Sequence, residues 1–116
     1  MYQQIDARPT VVDLKVYAGD DLHLRLDIYD IGGNPEDLTG AAAQAQVRAT
    51  PDAETVLAEF TAEIDGSTIW LHLAAADTAT LPATAVWDVQ VTYLDPDITV
   101  ATLARGGLAT TAEVTR

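Results

Sequence analysis

The eight residues LHLRLDIY put Leu22, Leu24, Leu26 and Ile28 on one side of an extended chain and His23, Arg25, Asp27 and Tyr29 on the other. An apolar residue at every second position buries a single face only if the backbone is a strand. The same rhythm runs through most of the chain. VVDLKVYAGDD places Val12, Leu14 and Val16 on one parity and ends in a turn composition, Ala18-Gly19-Asp20-Asp21. TVLAEFTAEI and STIWLHLA flank the turn signal Asp65-Gly66, with Ile69, Leu71 and Leu73 inward and Trp70 and His72 outward. ATAVWDVQVTYL reads as a long central strand with Ala85, Trp87, Val89, Val91 and Tyr93 inward. A turn at Asp95-Pro96-Asp97 leads into ITVATLARGG, and Gly106-Gly107 reads as punctuation before a last strand, LATTAEVTR.

The segment from Ala41 is ambiguous. Alanine and glutamine favour helix, yet Ala41, Ala43, Ala45, Val47 and Ala49 alternate with Gln44, Gln46 and Arg48. Period two between Gly40 and Pro51 favours a strand whose small inward residues fit under a bulky partner such as Trp87. Prolines at 9, 35, 51, 82 and 96 fall outside the alternating runs, as strand pairing requires. AAADTATLPA, with Asp77 and Thr78 as caps, predicts a turn or two of helix crossing between sheets. Seven or eight short strands then give an all-β protein, an immunoglobulin-like antiparallel β-sandwich with one short helical crossover. Residues 11–116 form its single domain, preceded by an extended arm over residues 1–10.

Lys15 and five arginines face 18 carboxylates, for a net charge of -12. Phosphate backbones and anionic membranes are bound through clustered Lys and Arg, so neither nucleic acid nor membrane is expected as a direct partner. No apolar run approaches the ~20 residues of a membrane helix. MYQQIDARPT lacks the basic and apolar regions of a signal peptide, which predicts a soluble protein made in the cytoplasm. Cysteine is absent, and with it disulfides and thiolate metal sites.

The residues name little chemistry. His23 and His72 stand at outward parities without a second ligand at metal spacing. Asp20-Asp21, Glu36-Asp37 and Asp95 with Asp97 fall in turns, where Asp bonds the local backbone. Ser67 is the only serine and lies in a hairpin turn, and the two Gly-Gly pairs open no helix. The expectation is a non-enzymatic protein with no catalytic residue, no cofactor and no metal. Trp70, outward beside His72, is the residue most suited to an interface.

In order, the chain carries a Gly-Asp turn, an alternating strand, a Gly-Asn-Pro turn, Asp-Leu-Thr-Gly, an Arg-bearing strand and a Leu-Pro corner. A Trp-Asp-Val strand, an Asp-Pro turn, a threonine-leucine strand and a terminal Val-Thr-Arg follow. Over roughly residues 17–116 this succession resembles a family of small bacteriophage virion proteins, and is similar to the amino-terminal immunoglobulin-like domains of phage baseplate upper proteins. The resemblance implies a structural module of a tail or tail tip, located in the virion after assembly in the host cytoplasm. It would bind other virion proteins in several symmetric copies. Tyr2 and Pro9 in the arm, with Trp70 and His72, are the interface candidates. Asp37, Leu38, Thr39 and Gly40 would then be architecture: Asp37 and Thr39 bond backbone, Leu38 plugs one end of the sandwich and Gly40 takes a left-handed angle. Two other placements compete, capsid decoration or head-tail connector, and a host-glycan binder stacking sugars on Trp70, Tyr29 or Tyr93.

Overall fold

The strands Leu22–Asp27 (β3) and Thr68–Leu73 (β6) pair antiparallel from Leu22 with Leu73 to Asp27 with Thr68, which places the two runs of alternating leucines on the same inner face. The computed structural model describes residues 10–30, 32–94 and 98–112. Around that pair are Thr10–Val11 (β1), Leu14–Tyr17 (β2), Ala42–Arg48 (β4) and Ala58–Asp65 (β5). The helical turn Ala75–Thr78 (α1), Thr84–Tyr93 (β7) and Thr99–Thr111 (β8) complete the order. Of the arm, only Thr10 is described, and it opens β1; Tyr2, Pro9 and the turn at 95–97 lie outside the described residues.

One face of the sandwich is β4, β7 and β8, and the other is β5, β6 and β3. Both layers have the strand neighbours of an immunoglobulin-like domain. A single strand joins them: β5 pairs with β4 through Ala58–Phe60 and with β6 through Thr61–Asp65. The inner faces meet in a core of Ala45, Val47, Phe60, Ile69, Leu71, Trp87, Val89 and Leu108. The alanine-rich segment is the strand β4, and Val47 lies beside Trp87 in register. Packing of small residues against that indole outweighs helix propensity.

The structure corrects three readings. Strands β1 and β2 run parallel to β8, not antiparallel, so the first strand is an edge added to the far side of the sandwich. Gly106-Gly107 is not a turn, because β8 continues through it to Thr111. Residue 106 is glycine because the chain crosses there between β1 and β2: a Cβ would lie 2.0 Å from the Val12 carbonyl oxygen. Neither Asp77 nor Thr78 caps α1; Ala74 occupies that position with no side-chain cap of its own, and Thr78 is buried in the last turn.

Candidate functional site

Three strands build the more aromatic of the two outer faces. Alternation sends His23, Arg25 and Asp27 of β3 outward, and the register lays them beside His72, Trp70 and Thr68 of β6, with Thr61, Glu63 and Asp65 of β5 beyond. The central row is therefore Arg25, Trp70 and Glu63. Trp70 is 44% exposed although it stands on an inner strand. The Arg25 guanidinium lies 5.2 Å from its ring centroid, a cation–π distance, and donates to Asp27 Oδ1 at 3.1 Å. Thr68 donates to the same oxygen at 2.7 Å. These two bonds, Thr68 first, hold the Asp27 carboxyl below its usual pKa.

One row further, the His23 and His72 rings stack with centroids 4.3 Å apart and planes 6° from parallel. Each histidine is alone in its stretch of sequence, so only strand pairing discloses the stack. His72 Nε2 lies 2.9 Å from Asp21 Oδ1, and the Ala75 backbone N–H donates to that oxygen at 3.1 Å. The His72 bond, followed by the backbone donor, lowers the Asp21 pKa. Asp21 is thus the acidic partner of His72, as Asp27 is of Arg25. A cavity of about 580 Å³ lies over the face, lined by His23, Arg25, Glu63, Trp70 and His72 among others.

The loop before β4 is fixed by its own side chains. Asp37 Oδ1 accepts from the Thr39 N–H at 3.0 Å, and bonding to Thr39 lowers the Asp37 pKa. Leu38 is fully buried, its N–H donates to the Gly66 carbonyl, and Gly40 has φ of +83°. Tyr29 is exposed and Tyr93 buried against the core. Among the described residues no three His, Asp or Glu side chains group as a metal site, and no helix is long and apolar enough to cross a membrane.

A family model described as LtfC-like, beta-sandwich domain, matches residues 8–110. The chain belongs to the LtfC-like β-sandwich family. That family is related to phage tail fibres, which makes this a phage structural, tail-related domain. The LtfC-like match spans every strand from β1 to nearly the end of β8, so it covers both outer faces. Comparison with curated proteins returns no match.

Proposed function

We propose that this LtfC-like chain is a non-enzymatic adaptor of the phage tail tip, a minor tail protein that holds other virion proteins together in several symmetric copies. The observation that carries the reading is the row of Arg25, Trp70 and Glu63 on the outer face of β3, β6 and β5. Trp and Arg are the residues most enriched where interfaces concentrate their binding energy, and here they stand pre-stacked at the centre of a three-stranded surface. Family membership supplies the phage setting. The acidic surface suits protein partners better than nucleic acid, with a net charge of -12.

The same row argues against sugar stacking on Trp70, because Arg25 already covers one face of the indole. The test is immunogold electron microscopy of intact particles with antibody against the purified chain, followed by particle assembly with Trp70→Ala. Label at the tail tip and loss of the variant from particles are expected. Label over the head, or none on virions, would overturn the adaptor reading.

A further inference from the structure

The opposite outer face, on β4, β7 and β8, is polar and concave. Register sets Gln44 beside Gln90, and lines up Gln46, Asp88 and Arg105 across three strands. These side chains surround a groove of about 590 Å³, within the ~300–1,000 Å³ of small-ligand sites. Gly107 adds no side chain to the wall formed by β8, and its N–H is already taken by Asp13 Oδ1.

Half of this polar set is braced and half is free. Glu59 Oε2 accepts from the Gln44 amide at 2.7 Å and from the Gln46 amide at 3.4 Å. Arg48 donates to Gln46 Oε1 at 2.9 Å and to the carbonyl oxygens of Ala53 and Glu54 at 2.8 Å. Among the described residues, by contrast, none hydrogen-bonds the side chains of Asp88, Gln90 or Arg105. Asp88 is half-buried, and burial pushes its pKa up, with Arg48 opposing. A carboxylate drawn out of water without a hydrogen-bond donor costs stability, and folded proteins keep such groups where a ligand completes them.

The ligand chemistry follows from the lining. Asp13 and Asp88 balance Arg48 and Arg105 around the groove, so it selects for no net charge. Carboxylate, amide and guanidinium are planar groups that each engage two neighbouring polar atoms at once. Adjacent hydroxyls on a sugar ring, which both donate and accept, present such pairs; an apolar ligand would leave the groove's donors and acceptors unsatisfied. We infer that the groove on β4, β7 and β8 binds a neutral saccharide. Its hydroxyls donate to the Asp88 carboxylate and to Gln90 Oε1, and accept from Arg105 and the Gln90 amide. This site is independent of where the chain sits in the particle.

The test is amide NMR of the nitrogen-labelled full chain titrated separately with maltose, cellobiose, lactose and N,N′-diacetylchitobiose. At least one sugar should shift the amides of Gln44, Asp88, Gln90 and Gly107 while those of His23 and Trp70 stay in place. Asp88→Asn and Gln90→Ala, each checked for fold by circular dichroism, should weaken binding by about tenfold or more, whereas Trp70→Ala should not. Absence of shifts with all four sugars would overturn the proposal. So would shifts centred on Trp70, or undiminished binding by both groove variants.

Discussion

At the scale of single residues, the crossing between β1 and β2 is the most exacting point. Trp87 donates its indole N–H to the Val12 carbonyl at 2.9 Å, Val12 donates to Arg105 O at 2.8 Å, and Asp13 Oδ1 accepts from the Gly107 N–H at 2.9 Å. The two adjacent glycines answer to different demands. Gly106→Ala drives a methyl into the Val12 backbone, and is expected to cost about 2–4 kcal/mol in urea unfolding. Gly107→Ala meets its nearest neighbour at 3.5 Å and should cost less than about 1 kcal/mol in the same measurement. Asp88 carries a prediction of opposite sign. Its folded pKa is raised by burial, so the carboxylate opposes folding once ionised, and Asp88→Asn should unfold at the same or a higher temperature at neutral pH even as it loses ligand.

At the scale of elements, the sequence is legible wherever alternation is regular. The hairpin of β5 and β6, the long β7 and the alanine-rich β4 follow from period two and from turn residues such as Gly66 at φ of +64°. Strand β8 is not legible in the same way. Its glycines imitate a turn, and a register shift opposite Val89 and Gln90 breaks its alternation. The crossover α1 is a second case, since four residues are too few to hold a helix by propensity. Tertiary bonds hold it instead. The buried Thr78 hydroxyl accepts from the Gly19 N–H at 3.0 Å and lies 2.7 Å from the Asp20 carbonyl, tying α1 to the turn between β2 and β3. Thr78→Val removes that acceptor and leaves Gly19 unsatisfied. A loss of about 1–3 kcal/mol is expected, with faster hydrogen exchange at Gly19 as the distinguishing readout.

At the scale of the whole molecule, the acidic charge sets the response to pH and salt. Asp21, Asp27, Asp37 and Glu59 have lowered pKa values, chiefly through hydrogen bonds from His72, Thr68, Thr39 and Gln44. Their contribution is present above the ordinary values of 3.8 and 4.5 and is lost as the pH falls through the lower folded values. Glu36 and Asp88 are raised, chiefly by burial, so their contribution is gained as the pH falls through their folded values. Repulsion within a chain of net charge -12 also relaxes in mild acid. The melting temperature should therefore rise from neutral pH to about pH 5, then fall below about pH 4. Added salt should raise it at neutral pH by screening the same repulsion. A profile flat between neutral pH and mild acid would contradict this balance.

The sequence by itself determined the all-β class, the parity of most strands and the outward setting of Trp70 and His72, because these depend on a two-residue repeat and on local turn chemistry. Only the tertiary structure decided which outward residues become neighbours. The stack of His23 on His72, the cover of Arg25 over Trp70 and the row of Gln46, Asp88 and Arg105 join residues from different strands. Register sets such pairings, and register is fixed by the packing of the opposite, buried face.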